Sequence, residues 1–127
     1  MNYNELNDKL KQLDIEDFIW VIYIGIIIMS WYSNSLERKY YINNDTVSKE
    51  KYRKIITFIF LILIVGYVYF LKSSVDDIKK LKPNDSLRKR NLVYLSFVGS
   101  LLIFISGVIF LYISIADDDL SVEIAFN

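Results

Sequence analysis

Asp117, Asp118 and Asp119 form the densest acidic cluster in the chain. Carboxylate oxygens suit a hard divalent cation such as calcium or magnesium. Their spacing matches no defined cation loop, however, and acids that directly follow an apolar run also read as an ordinary flank. The second cluster is basic and comprises Lys79, Lys80, Lys82, Arg88, Lys89 and Arg90. No aromatic residue interleaves with these cations, so no nucleic-acid partner is expected. Beside a bilayer they would contact anionic lipid headgroups, at about 1 kcal/mol per basic residue near the surface. His and Cys are both absent. Imidazole acid–base chemistry, thiol nucleophiles, disulfides and thiolate metal sites are therefore excluded together. The expectation is a non-catalytic protein with no cofactor and no metal.

The elements that position these clusters are apolar runs. Of 127 residues 54% are hydrophobic and the net charge is zero, with the apolar residues gathered into stretches rather than spread at amphipathic spacing. The most uncharged stretch, residues 92–116, contains no charge, Pro, Asn or Gln. As a helix it measures about 37 Å, enough for the roughly 30 Å of a bilayer's hydrocarbon core. Residues 55–71 form a second run, broken only by Thr57 and Gly66. Residues 18–35 form a third, with Trp20, Tyr23, Trp31 and Tyr32 towards its ends, where aromatic rings favour the headgroup region. Its apolar part, 18–32, is short for a span. It is not expected to be a signal peptide, because the segment before it is acidic and no small-x-small pattern follows.

These stretches predict an all-α, multi-pass integral membrane protein: a bundle of three transmembrane helices, with helical extensions beyond the bilayer. The division is a polar, acidic arm (1–17), spans at 18–35, 55–71 and 92–116, and an acidic tail (117–127). Leu6, Leu10 and Leu13 give the arm one narrow apolar stripe, suited to a surface helix, an extension of the first span or a docking helix. Residues 36–54 read as a basic loop with a turn at Asn43-Asn44-Asp45, and Asp45 or Ser48 as the cap of the next helix. That helix should run on to about residue 82, where Pro83 stops it, and Asp85 or Ser86 should cap the third.

Charge gives a divided topology. Three spans put the arm and residues 72–91 on one side with nine Lys and Arg, and residues 36–54 and the tail on the other with six. The larger count belongs inside, which places the amino terminus inside and the carboxyl terminus outside. The third stretch agrees, with Arg88, Lys89 and Arg90 before it and acids after it. The first disagrees, with Asp17 before it and Arg38 and Lys39 after it. A re-entrant or interfacial first stretch would remove the conflict. Which membrane, cellular or viral, the residues do not specify.

Function classes narrow to packing or permeation. Ser96, Ser100, Gly107 and Ser114 recur at spacings of four, seven and seven, with Gly99 and Ser106 adjacent. Small residues let helix backbones approach in lipid, so these mark a packing face, within the chain or in a homo-oligomer. No ionisable group lies inside any apolar stretch, against proton relays and ion-coupled transport. The hydroxyls of Thr57, Tyr23, Tyr67 and the four serines could line a weakly polar pore or bond their own helices. The expected role is a structural or accessory subunit of a larger membrane assembly. The alternative is a small homo-oligomeric pore. The chain is similar in outline to three-span phage holins, but those end in a basic tail and this one in an acidic tail.

Overall fold

The computed structural model describes residues 2–117, which form three α-helices and, among the described residues, no strand. They are α1 (Tyr3–Asn43), α2 (Thr46–Lys79) and α3 (Leu87–Ala116). Asp118, Asp119 and the rest of the tail lie outside the described residues. The chain separates into two units, Met1–Tyr52 and Arg53–Asn127.

In the first unit, α1 is one helix about 60 Å long, far more than a bilayer core requires. A capping box starts it: the Glu5 amide donates to Asn2 Oδ1 at 2.8 Å, and the Asn2 amide donates to Glu5 Oε2 at 3.4 Å. No Pro interrupts it, and the acidic arm continues into the apolar stretch without a break. The arm is thus an extension of the same helix. An unbroken helix through 18–35 also has no point at which a re-entrant segment could turn back. Ile19, Ile26 and Ser33 are buried one heptad apart, with Leu36 following on the same side. Ser33 and Ser35 donate to the Ser30 and Tyr32 carbonyls at 2.8 and 2.7 Å, which satisfies both hydroxyls within the helix.

The long basic loop expected over residues 36–54 is absent. Residues 36–43 contain no breaker, so α1 runs to Asn43, and only Asn44 and Asp45 separate it from α2. Asn44 takes a left-handed conformation (φ 51°, ψ 35°), which Asn tolerates better than most residues and which ends α1. Asp45, not Ser48, then caps α2. Its Oδ1 accepts from the Val47 and Ser48 amides at 3.1 and 3.3 Å, and its Oδ2 from the Ser48 hydroxyl at 2.8 Å. Across the turn, the Lys49 ammonium lies 5.2 Å from the Tyr40 ring centre, a cation–π contact.

In the second unit, α2 ends at Lys79, one turn earlier than expected. Pro83 would clash with the Lys79 carbonyl if the helix continued, so the chain tightens at Lys80 and Leu81 instead. Ser86 caps α3 through the Lys89 amide at 3.2 Å. Asp85 braces the turn: its carboxylate accepts from the Lys82 amide at 2.7 Å and from Lys89 Nζ at 3.2 Å. Arg90 Nη2 donates to the Lys82 carbonyl at 2.6 Å. α3 therefore begins a full turn before its uncharged run.

Both turns close on an ionised Asp. The Ser48 hydroxyl and amide hold the Asp45 carboxyl below its ordinary 3.8, and the Lys82 amide, then Lys89, does the same for Asp85. A lowered carboxyl contributes stability above its unfolded value and loses it as pH falls through the lower folded value. Helicity of the full chain in detergent should accordingly decline as pH drops below about 4. Asp45→Asn, which still caps but does not ionise, should flatten the Asp45 part of that decline, whereas Asp45→Ala should lower the thermal midpoint at neutral pH. Circular dichroism across pH reads both.

Candidate functional site

The best-defined polar and steric constellation lies along the seam between α2 and α3 in the second unit. α2 supplies it from residues that recur at alternating spacings of four and three. Arg53, Thr57, Phe60, Ile64 and Tyr67 carry the contacts to α3. This is the period of a shallow left-handed crossing, in which one stripe stays against a partner. From Ile55 onward the stripe is hidden in the sequence because the positions beside it are apolar too. Period shows only where apolar and polar residues alternate.

α3 answers with small residues. Gly107 and Ser114 are buried and Ser100 is half-buried, all seven apart. A Cβ at Gly107 would stand 2.9 Å from Tyr67 Cδ2, 3.0 Å from Cε2 and 3.4 Å from an Ile64 side-chain carbon. The Tyr67 ring therefore occupies the space that any larger residue at 107 would need. Nearer the other end, the Phe60 and Phe110 rings stack with centroids 5.8 Å apart. An open groove of about 290 Å³ runs beside Gly107, floored by Gly107 and Ser106 and walled by Phe60, Tyr67 and Phe110.

Two polar contacts fix the register. The Ser114 hydroxyl donates to the Leu111 carbonyl at 2.7 Å, and its oxygen lies 3.4 Å from Thr57 Oγ1. A hydroxyl has one proton, so Thr57 is the donor in the second contact. Thr57 thus bridges to α3. Arg53 Nη2 donates to the Ile115 carbonyl at 2.9 Å. It satisfies a carbonyl in the last turn of α3 and places a cation at the negative end of that helix. Sequence reading assigned Arg53 only to a basic loop. No local pattern marks a cation that caps a helix sixty-two residues away.

The predicted packing residues do not act together. Gly107 and Ser114 lie in the seam and Ser100 is half-buried, while Ser96 and Gly99 are exposed. A Cβ at Gly99 would meet nothing within 4 Å. The basic cluster also divides. Lys89, though exposed, is held by Asp85, and Arg90 by the Lys82 carbonyl; Lys79, Lys80, Lys82 and Arg88 are exposed as well. Arg88 and Lys89 line a second open groove, of about 360 Å³, with Asp77, Ser86, Leu92, Val93 and Ser96. Among the described residues no group of three or more acids is placed to hold a metal ion.

Gly107→Ala should destabilise the full chain in detergent by about 1–3 kcal/mol, the usual cost of overpacking. Gly99→Ala should be neutral or stabilise, because a helical Gly costs roughly 0.5–1 kcal/mol against Ala. Gly107→Ala combined with Tyr67→Ala should cost less than the two separate losses added together, since the ring is the obstruction. Reversible unfolding in mixed micelles measures all three.

No family model, curated protein or solved structure matches this chain, so its functional reading rests on its own helices.

Proposed function

We propose that the chain is a non-catalytic integral membrane protein that crosses the bilayer three times and contributes helix-packing surface to a larger membrane assembly. The observation that carries the membrane reading is the exposure of α3. Two helices, α2 and α3, are long and apolar enough to cross a membrane, and in α3 only 11% of the most apolar window is buried. Leu95, Leu102, Ile109 and Tyr112 stand exposed at helical spacing along it. A core helix of a water-soluble protein would bury most of that surface, whereas lipid solvates it at no cost.

A third span in α1 is supported by Phe18, Ile24, Ile28 and Trp31, all exposed on an unbroken helix. The basic excess on the side of the amino terminus and of the α2–α3 turn supports an inside amino terminus and an outside carboxyl terminus. Against the competing pore, the Thr57 and Ser114 hydroxyls are spent on each other and on a backbone carbonyl rather than aligned on a free face. An accessory role fits a chain whose exposed surface is apolar and free of ionisable groups over the length of a span. The basic turn would rest on anionic lipid headgroups. Partners are then other membrane helices, from a second copy or a different protein.

The absence of Cys allows a direct test of topology. Single cysteines placed at Lys11, Asn44 and Asn84 in membrane vesicles should label with a membrane-impermeant reagent from one side at 11 and 84 and from the other at 44. Labelling of 11 and 44 from the same side would remove α1 as a span. Dye leakage from liposomes carrying the purified chain would replace the accessory reading with the pore.

A further inference from the structure

The groove at the basic end of the α2–α3 pair has a particular chemistry. Arg88 and Asp77 both line it, and neither makes an ion pair or hydrogen bond with another described residue. Lys89, beside Arg88, is braced by Asp85. Among the described residues the groove is therefore lined by one cation and one anion that make no ion pair with each other or with a neighbour. The hydroxyl-bearing Ser86 and Ser96 line it too, and Leu92 and Val93 give it an apolar wall.

Its depth follows from the seam. Thr57 meets Ser114, Phe60 meets Phe110, Tyr67 meets Gly107, and Asp77 shares the groove with Val93 and Ser96. One antiparallel register runs throughout. It sets the charged end of α2, with Lys72, Asp76, Asp77 and Lys79, level with the start of the uncharged run of α3. The α2 run measures about 26 Å and that of α3 about 37 Å, so the two cannot both match a core of roughly 30 Å. The first turns of that α3 run stand beside charged residues, which on the membrane reading above puts them where hydrocarbon gives way to headgroups.

From this juxtaposition we infer that the groove binds the headgroup of a zwitterionic membrane phospholipid bearing a primary ammonium. The phosphate pairs with Arg88, the ammonium with Asp77, and the start of an acyl chain lies along Leu92 and Val93. A phosphate pairs with guanidinium through charge-assisted hydrogen bonds, and a primary ammonium offers three donors to a carboxylate. A purely anionic headgroup leaves Asp77 facing negative charge. A quaternary ammonium has no N–H to give it. The volume falls at the lower end of ligand-sized clefts. This site rests on the membrane reading above and adds headgroup selectivity to the general attraction of the basic turn for anionic lipid.

The test is lipid retention by the full chain. Protein is reconstituted with an equal mixture of ethanolamine, choline and glycerol phospholipids of identical acyl chains, extracted in mild detergent, and its co-purifying lipid quantified. The ethanolamine lipid should be enriched. Arg88→Gln should lower its retention by about tenfold, the effect of losing one charge-assisted interaction. Asp77→Asn should abolish the preference for ethanolamine over glycerol headgroups without lowering total retention. Lys54→Gln, a basic residue outside the groove, should change nothing. A chain that enters the bilayer yet retains all three headgroups equally, or whose preference survives Asp77→Asn, overturns the site alone. Displacement of the retained lipid by free phosphoethanolamine at equal concentration overturns the lipid as its occupant. A chain that does not enter the bilayer overturns the membrane reading and the site with it.

Discussion

The close approach at Gly107 is the constraint on which the second unit depends. Only a residue without a Cβ leaves room for the Tyr67 ring against α3. That contact, with Thr57–Ser114 on the same seam, holds α2 and α3 in one antiparallel register. In the lipid setting proposed for this pair such contacts gain nothing from the hydrophobic effect, because acyl chains are as apolar as Leu. Close packing and a few polar bonds do the work instead, typically at about 0.6 kcal/mol per interhelical hydrogen bond. A seam made this way tolerates little change in volume at its closest point and considerable change elsewhere, as the open surroundings of Gly99 illustrate.

Polar groups are concentrated where helices end. Asn2 and Glu5 cap α1, Asp45 caps α2, Ser86 caps α3 with Asp85 bracing the turn before it, and Arg53 satisfies a carbonyl at the far end of α3. Apart from Asp85, which accepts from an amide of the turn itself, each meets a backbone group at a helix end that the helix leaves without a partner. Two of these anchors are carboxylates held ionised by donors from their own turns. The apolar interior of each helix needs no such help, since its backbone is satisfied within the helix. Charge and hydrophobicity thus divide the labour: termini are set by local hydrogen bonds, and the seam by shape.

Much of this was legible in the chain. The apolar runs marked three helices, Asn43-Asn44-Asp45 marked the first turn, and Pro83 marked the end of α2. Caps were narrowed to pairs, Asp45 or Ser48 and Asp85 or Ser86, from which geometry selected Asp45 and Ser86. Boundaries were less visible. Residues 36–43 carry charge and look like a loop, yet nothing in them breaks a helix, so α1 absorbs them. The α2 stripe through Phe60, Ile64 and Tyr67 was invisible because an apolar helix shows no contrast between its faces. Of the small residues of α3, the seven-residue spacing singled out a subset, but nothing local distinguished Gly107 and Ser114, which are buried, from Ser96 and Gly99, which are exposed.

By itself the sequence determined the class of structure: long apolar helices separated by polar turn signals, without imidazole or thiol groups. Those properties depend on composition and on neighbours within a few residues, which the chain states directly. Tertiary structure decided the register. Whether Arg53 reaches Ile115, whether Tyr67 covers Gly107, and whether Asp77 and Arg88 face one groove depend on residues far apart in sequence, with steric fit choosing among many possible alignments of two apolar helices. That alignment sets the longer uncharged run of α3 beside the charged end of α2, a juxtaposition that neither helix encodes alone.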